Sequence, residues 1–380
     1  MDIKIINNFS LIRKADWQNL QTSGNPFLRY EFLDQLERSR CVCDQTGWLP
    51  YHITLYDNQP GKNSSLIGAV PLYLKTHSYG EYVFDWAWAN AFERTGQQYY
   101  PKLVVSVPFT PVTGPRLLVA KNQDQNIVQK KLISAACELA EHLKVSSLHW
   151  LFTTEKELDL LSKNKFLKRV GCQFHWNNNN YQNFDDFLAT FTSKKRKKIL
   201  QERRYVREAG ITMETLSGNN ITEKHWLQFY QFYQSTINAH FSTAYLNFDF
   251  FQKLGQSMAD DIVLVLAHRD QKIIAGALNF KGDDTLFGRY WGCAEKHNGL
   301  HFETCYYSAI EYCIQNNMQR FEAGAQGEHK LSRGFIPVST YSAHWLAHPE
   351  FSSAIDDFLK RESHGIEHYM SELSEHDPYK

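Results

Sequence analysis

Glu322 and the segment from Gly324 to Gly334 contain the residue types that proton transfer and anion binding require. The charged and amide side chains of this segment are Gln326, Glu328, His329, Lys330 and Arg333. A carboxylate or an imidazole can accept a proton, whereas lysine and arginine bind phosphate or carboxylate groups. We interpret Glu322 and His329 as candidate catalytic bases. Lys330, Arg333 and Gln326 are candidate substrate-binding residues, and a charged turn that caps a short helix is the alternative interpretation.

A second polar cluster lies in an aromatic segment of the first half of the chain. It consists of His77, Tyr79, Glu81 and Asp85, with Lys102 downstream. On a strand that starts near Tyr79, alternation places Glu81 and Asp85 on the same face. Two carboxylates are costly to bury unpaired, so they face either water or a cation such as Lys102. Substrate binding by these five residues and a purely structural pairing are both open interpretations.

Predicted strands and helices position the two clusters, and their order is similar in the two halves. For the first half the sequence predicts a hairpin of residues 51–56 and 66–75, strands at 83–88 and 103–107, a helix at 125–143, a strand at 147–153, a helix at 155–164 and closing strands at 166–176. For the second half it predicts a helix at 225–238, a meander of strands at 262–268, 273–280 and 285–292, a helix at 302–316, a strand at 320–325, a short helix around Lys330 and a strand that ends at Trp345.

One motif occurs in both halves, a phenylalanine followed nine positions later by His-Trp. It occurs from Phe166 to His175-Trp176 and again from Phe335 to His344-Trp345. The repeat predicts a duplicated α+β unit, each copy a mostly antiparallel twisted sheet flanked by helices. We place the domains at residues 1–178 and 181–375, joined by the run of four asparagines at 177–180. A histidine that recurs in both halves is better explained by the fold than by catalysis.

The composition is that of a globular protein, since 43% apolar residues in 380 suffice for sizeable cores. No apolar run approaches the roughly 20 residues that a membrane span requires, and the N-terminus shows no signal-peptide pattern. The seven cysteines include no Cys-x-x-Cys pair, which is typical of reduced thiols. These features predict a cytoplasmic protein. No histidine pair has the central glutamate of His-Glu-x-x-His, so we expect no metal.

A strongly basic helix is predicted at 193–209. Between Thr192 and Gly210 eight lysines and arginines stand against two glutamates, although the formal net charge of the whole chain is zero. Phe191, Ile199 and Val206 form only a thin apolar stripe, so most of the circumference is cationic. Such a helix can bind CoA phosphates, a nucleotide-linked precursor, tRNA or an anionic membrane, or it can be a solvated face. No RNA-binding motif accompanies it, which makes tRNA the minority interpretation.

Two long motifs, residues 73–88 with Tyr99-Tyr100-Pro101-Lys102 and residues 321–337, carry a resemblance to a known family. On these motifs the sequence resembles the FemAB-like family of predicted N-acyltransferases, over nearly the whole chain. That family is named for its kinship with the Fem transferases, which add amino acids from aminoacyl-tRNA to cell-wall precursors. The order of meander, loop, helix and strand is similar to that of acyl-CoA-dependent N-acyltransferases of the GNAT type. The resemblance therefore implies two tandem GNAT-like domains.

The same resemblance implies that an acyl or aminoacyl group is transferred to an amine, such as a cell-wall precursor. In GNAT-type enzymes the loop before the helix presents backbone N–H groups to the CoA pyrophosphate, and the corresponding residues here are 295–301. We therefore expect acyl-CoA as the donor, with Trp291, Gly292 and Gly299 receiving it. Glu322 or His329 would accept the amine proton.

Two alternatives remain open at this point. One is a non-catalytic module that binds a peptidoglycan fragment or an anionic metabolite, and the single glycine in residues 295–301 favours it. The other is a Fem-type transferase that uses aminoacyl-tRNA and contacts the tRNA through the basic helix. The second alternative predicts binding that weakens steeply with salt, because several phosphates would be neutralised.

Overall fold

The computed structural model of the protein describes residues 1–57, 64–239, 243–324, 327–375 and 378–379. Its strands are β1 (Asp2–Ile6), β2 (Trp48–Pro50), β3 (His52–Asp57), β4 (Ser65–Val70), β5 (Leu72–Lys75), β6 (Lys102–Val105), β7 (Leu118–Val119), β8 (Ser147–Thr153), β9 (Leu167–Asn177), β10 (Thr212–Ser217), β11 (Ile262–Arg269), β12 (Lys272–Lys281), β13 (Thr285–Cys293), β14 (Arg320–Glu322) and β15 (Ile336–Leu346). Its α-helices are α1 (Lys14–Gln18), α2 (Tyr30–Arg38), α3 (Trp86–Arg94), α4 (Gln125–His142), α5 (Glu155–Lys163), α6 (Phe184–Ala189), α7 (Ser193–Glu208), α8 (Glu223–Ala239), α9 (Phe248–Ser257), α10 (Leu300–Phe302), α11 (Ser308–Gln315) and α12 (Pro349–Glu375).

The chain forms two compact units, and neither is a continuous stretch of sequence. The first unit contains Met1–Gly171 and Ser339–Glu367, and the second contains Cys172–Val338 and His368–Lys380. The chain therefore passes from one unit to the other within β9, within β15 and within α12. The domain limits 1–178 and 181–375 stay a prediction, which did not include this exchange of strands.

In the first unit, α4 supports the strands that carry the first polar cluster. The strands β1, β3, β4 and β7 pair antiparallel in that order. A second set runs β2, β5, β6, β8 and the end of β15, and only β6 and β8 in this set are parallel. The side chain of Asp124 caps α4 by accepting a hydrogen bond from the backbone N–H of Ile127. Val128, Leu132 and Ala136 of α4 belong to the core that these strands share.

In the second unit, β10, β11, β12, β13, β14 and the end of β9 are neighbours in that order. All these pairs are antiparallel except β13 with β14. Residues Ile262 to Ala267 of β11 are all buried, as a strand covered on both faces requires. Between β13 and β14 the chain forms one helical segment made of α10, a π-helix at Glu303–Tyr307 and α11. Its residues Tyr307 and Ile310 pack in the core with Phe321 of β14.

Most elements near the candidate site follow the sequence prediction. The meander is confirmed as β11, β12 and β13, and the long helix of the first half is confirmed as α4. The strand predicted at 83–88 is wrong, because Trp88, Ala89 and Phe92 follow helical spacing and bury one face of α3. The closing strands predicted at 166–176 form one strand, β9, since no turn interrupts it. Within the described residues no helix is long and apolar enough to cross a bilayer.

Candidate active site

The parallel strands β13 and β14 pair over only three residues and then part. Thr285–Phe287 are the partners of Arg320–Glu322. β14 ends at Glu322, whereas β13 continues to Cys293 with β12 as its partner. The β12–β13 register skips Arg289, which is therefore the extra residue of a β-bulge. A β-bulge changes the direction of side chains and is common next to active sites. We call the point where β13 and β14 separate the fork, and Glu322 lies there at the end of β14.

Glu322 is a buried carboxyl group with one oxygen left unbonded. Its exposure is 5%, and Oε1 lies 3.3 Å from Nε of Arg320. Oε2 has no hydrogen-bond partner among the described residues. Burial raises the pKa of Glu322 to about 7, against the smaller opposing effects of the Arg320 and Arg289 charges. Near neutral pH this carboxyl group can therefore both hold and release a proton.

His175 is the immediate neighbour of Glu322, although the sequence favours a structural role for it. It lies opposite Glu322 in the antiparallel pair of β9 and β14. Its Nε2 is 3.8 Å from Oε2 of Glu322 and has no hydrogen-bond partner among the described residues. Burial, helped by the charge of Arg320, lowers the pKa of His175 to about 3, so the imidazole is neutral. The only signal in the sequence was its place in the repeated Phe-x8-His-Trp motif.

His329 lies in a 3-10 helix, Glu328–Arg333, and contacts the π-helix. The Tyr306 hydroxyl and Nε2 of His329 are 2.9 Å apart. Burial lowers the pKa of His329, and the nearby Arg333 charge lowers it further, so the ring is neutral at pH 7. π-Helices are rare and frequent at functional sites, and this one aims Tyr306 at His329.

Lys330 and Arg333, predicted to bind anions, both have internal partners. The Nζ of Lys330 donates to the carbonyl oxygen of Gly324 at 2.8 Å, and burial lowers the pKa of this lysine to about 8. The guanidinium of Arg333 bonds Oε1 of Glu202 at 2.7 Å and lies 3.3 Å from the ring centroid of Phe302. An anionic substrate would have to compete with these contacts. The third residue of this segment that was predicted to bind substrate, Gln326, lies outside the described residues.

Three residues were predicted to receive the donor, namely Trp291, Gly292 and Gly299. The backbone of a neighbouring helix approaches each of the two glycines closely. Trp291 is partly buried, and its ring centroid is 4.9 Å from that of His301. A Cβ on Gly292 would lie 2.1 Å from the carbonyl oxygen of Phe232 in α8. A Cβ on Gly299, whose φ is +81°, would lie 2.5 Å from the carbonyl oxygen of Glu202 in α7. Both glycines are thus required by packing, and donor binding at them stays a prediction.

Lys102 is the centre of the polar cluster in the first unit. Its buried Nζ donates to Ser78 Oγ and Glu81 Oε2 at 2.8 Å, and also to Asp85 Oδ2. Burial raises the pKa of Glu81 to about 7, against the charge of Lys102. The same charge and its hydrogen bond hold the pKa of Asp85 below its ordinary value despite burial. These contacts are the structural pairing that the sequence left open, and substrate binding by this cluster stays a prediction.

His77 and Tyr79 lie at the surface of the same unit beside two further aromatic rings. The backbone N–H of Tyr79 donates to Nδ1 of His77, and its carbonyl oxygen accepts from Nζ of Lys75 at 3.3 Å. The Tyr79 ring is 58% exposed and lies 6.0 Å from that of Trp86, which stacks with Phe84. Tyr79 is therefore accessible to a ligand, unlike Glu81, Asp85 and Lys102.

The repeated histidine of the second half, His344, takes part in a buried chain of hydrogen bonds in the first unit. Its Nδ1 is 2.7 Å from Nδ1 of His149, and its Nε2 is 2.9 Å from Ser342 Oγ. Nε2 of His149 lies 3.2 Å from the hydroxyl of Tyr99, which donates to Asp85. Burial lowers the pKa of both histidines, so they are neutral. His344 faces His149 as His175 faces Glu322, in matching strand pairs.

The described residues contain no group of three or more histidine, cysteine and carboxylate side chains that could hold a metal ion. The seven cysteines are free thiols. A cavity of about 690 Å³ in the first unit lies beside Gln21, Gln125, Gln129 and Thr154, and includes none of the predicted site residues.

Several solved structures have a similar fold. FemX is 12% identical with a TM-score of 0.55, and the similarity covers 94% of this chain and all of FemX. A conserved protein of unknown function from Bacteroides thetaiotaomicron is 13% identical with a TM-score of 0.50, over 90% of this chain and 99% of that one. A tandem GNAT protein from the clavulanic acid biosynthesis pathway is 11% identical, with a TM-score of 0.42, over 79% and 84%.

The prediction of a fold with mixed helices and sheets is confirmed, and this fold is similar to that of FemX over nearly the whole chain. No curated protein sequence matches this chain. The match to a family is nevertheless extensive, since residues 8–380 fit the family described as peptidoglycan biosynthesis/recognition. On that match, which spans both units and all the candidate site residues, the chain belongs to the FemAB-like family.

Proposed function

We propose that this protein transfers an acyl or aminoacyl group to an amine, and that Glu322 accepts the proton of that amine. The observation that carries the proposal is the state of this carboxyl group, buried at the fork of β13 and β14 with Oε2 unbonded among the described residues. A general base works best when its pKa lies near the working pH, and that of Glu322 is about 7. The family description supports a cell-wall precursor as the acceptor.

The reaction begins when the amine nitrogen attacks the carbonyl carbon of a thioester or an ester. A C–N bond forms, the C–S or C–O bond breaks, and the amine proton passes to Glu322. The departing sulfur or oxygen takes up a proton in turn. The 3.8 Å separation of Glu322 Oε2 and His175 Nε2 suits this step, because one amine can donate hydrogen bonds to two acceptors at that spacing. We therefore assign His175 to orienting the acceptor.

His329 is the second candidate base, since it is neutral near pH 7 and exposed. Its bond to the Tyr306 hydroxyl favours a supporting role, because Tyr306 then competes for the ring nitrogen. For the donor we retain acyl-CoA near Gly299 as the first choice and aminoacyl-tRNA as the second. Lys330 and Arg333 would contribute positive charge near the reacting groups rather than direct anion contacts.

The test offers acyl-CoAs and aminoacyl-tRNA separately, each with a panel of amines that includes a peptidoglycan-precursor peptide, and detects the product by mass spectrometry. We expect transfer from one donor class, and a loss of roughly 100- to 10,000-fold in kcat for Glu322→Gln. Glu214→Gln is the matched control, since Glu214 is a 45% exposed carboxylate of the same unit. Full turnover in both Glu322→Gln and His329→Ala would reject the assignment. Ligand binding without transfer from any donor would favour the binding module instead.

A further inference from the structure

We propose that α7 docks the protein onto anionic phospholipid membranes. The surface that would do so is the cationic face of α7, which consists of Lys194, Lys197, Lys198, Arg204 and Arg207, all of them exposed. With 3.6 residues per turn these five side chains lie within one half of the helix circumference. Such a helix lies on a bilayer rather than crossing it.

The positions of these charges are unfavourable for the helix itself. Lys194, Lys197 and Lys198 lie in the first two turns of α7, where the helix dipole is positive and acidic residues are preferred. The first turn contains no acidic residue, and none of the three lysines has an ion-pair partner within the described part of the chain. Lysines three and four positions apart also repel each other. The cluster therefore lowers the stability of α7, which points to a role outside folding.

The inward side of α7 is fixed by ion pairs and apolar contacts within the second unit. Arg203 bonds Glu303 at 2.9 Å and Glu311 at 2.7 Å, and burial with these partners fixes it against the neighbouring helical segment. Ile199 and Val206 are 1% exposed. On the cationic face Arg204 pairs with the exposed Glu208, which lies on the same half of the helix, at 3.6 Å. Lys194, Lys197 and Lys198 have no ion-pair partner within the described part of the chain and remain available for an external partner.

The exposed side chains between the cations favour a lipid surface over RNA. Leu200 is 44% exposed and Tyr205 is 38% exposed, and both lie on the same half of the helix as the charges. An aliphatic side chain gains nothing from a phosphate backbone, whereas it can enter the headgroup region of a bilayer, where tyrosine is also preferred. Lysine predominates at the start of the face, and its flexible ammonium suits a diffuse anionic surface. The helix spans roughly 24 Å, enough to contact several headgroups.

The test is co-sedimentation of the full-length protein with phosphatidylcholine vesicles, with and without phosphatidylglycerol. We expect binding only when phosphatidylglycerol is present, and a decline with salt. The variant Lys194→Gln, Lys197→Gln, Lys198→Gln should bind roughly 100-fold more weakly, because each basic residue near an anionic surface contributes about a fivefold factor. Leu200→Gln, which keeps every charge, should weaken binding by roughly fivefold.

A control with the same loss of charge is Lys130→Gln, Lys131→Gln, Lys156→Gln, three exposed lysines of the first unit. It should bind as the unaltered protein does. The cationic-face variant should also melt at a higher temperature than the unaltered protein, which separates weaker binding from unfolding. Glu322→Gln should leave vesicle binding unchanged, so this inference and the proposed transfer reaction can fail separately.

Three results would overturn the inference. Equal losses in the two triple-lysine variants would mean that only net charge matters. Unchanged vesicle binding in Leu200→Gln would remove the lipid-specific contact. RNA of mixed sequence that binds through the cationic face, with no binding to phosphatidylglycerol vesicles, would make this helix a nucleic-acid contact.

Discussion

Glu322 owes its raised pKa to burial, and this determines when it can act as a base. Because the pKa is about 7, we expect kcat/KM for transfer to rise with pH up to about 7 and then level off. The measurement is a pH–rate profile under conditions where the substrate does not titrate. A profile that is flat across pH 7 would show that another group accepts the proton.

The same group should make folding pH-dependent. The folded state keeps its proton up to about pH 7, whereas an unfolded glutamate releases it near pH 4.3, so the stability contributed by this proton is lost as pH rises between those values. At pH 8 we expect Glu322→Gln to be more stable than the unaltered protein by about 3 kcal/mol, and near pH 4 to be similar. Urea denaturation at both pH values checks this. Glu214→Gln should show no such gain.

Lys102 forms ion pairs with two carboxylates in the core of the first unit, and its removal should destabilise the protein. In Lys102→Met, Glu81 and Asp85 would remain buried without the cation that hydrogen-bonds to both, and we expect a loss of about 3–5 kcal/mol in the free energy of unfolding. Adding Glu81→Gln and Asp85→Asn to this variant should recover part of the loss. Thermal and urea denaturation measure both effects. A single variant as stable as the unaltered protein would mean that water reaches the cluster.

The residue types in the sequence predicted which side chains belong to the candidate site, but not their pKa values or their ion-pair partners. Glu322 was identified as a base candidate from its position between a strand and a glycine-bounded segment. Its raised pKa depends on burial, and its neighbour His175 belongs to another strand, more than 140 positions earlier in the chain. The internal partner of Arg333, Glu202, is equally remote in sequence. Such contacts depend on tertiary structure, and local spacing does not encode them.

At the scale of elements, Gly292 allows α8 to pack on β13, and this contact can be tested directly. A Cβ there would overlap the carbonyl oxygen of Phe232, so Gly292→Ala should destabilise the protein by about 1–3 kcal/mol or more. Gly365 in α12 is the matched control, because a Cβ there meets nothing within 4 Å. Gly365→Ala should stabilise by about 0.5–1 kcal/mol through helix propensity. Equal effects in the two variants, measured by urea denaturation, would contradict this account.

The spacing of apolar residues predicted the strands and helices that are buried in a regular pattern. The continuous apolar run of β11 and the regular apolar spacing of α4 left little choice of structure. Residues 83–88 were different, since aromatic residues suit a strand as well as a buried helix face. The structure resolves this ambiguity in favour of α3 through tertiary packing with Leu346, Ile355 and Leu359. Those partners lie some 260 positions away, beyond the reach of a local pattern.

At the scale of the whole molecule, each half of the chain supplies a closing strand to the unit built mainly by the other half. β9 brings His175 to Glu322, and β15 brings His344 to His149. A fragment of residues 1–178 would therefore lack Ser339–Glu367. We expect this fragment, produced alone, to show no cooperative unfolding transition, and to gain one when residues 179–380 are produced with it. Circular dichroism during thermal unfolding checks this, and a cooperative transition in the isolated fragment would contradict it.

The repeat in the sequence indicated the duplication, but it did not indicate the exchange. The motif that ends in His175-Trp176 looks like the last strand of the first copy, as its echo at His344-Trp345 looks like the last strand of the second. The partner of each closing strand lies more than a hundred positions away in the sequence. Strand sequence specifies alternation and length, and many partners satisfy those requirements equally well.

The exchange of closing strands also has a consequence for the nascent chain. When residue 171 leaves the ribosome, β8 and its neighbour β6 have both been made, but the strand that covers the other edge of β8 lies about 170 residues downstream. At typical translation rates that strand is made roughly 10 to 30 s later. During this interval β8 lacks one of its two neighbouring strands, and an unpaired strand edge is the kind of surface that aggregates or recruits a chaperone. Production of this protein should therefore be limited by events during translation rather than by the stability of the finished fold.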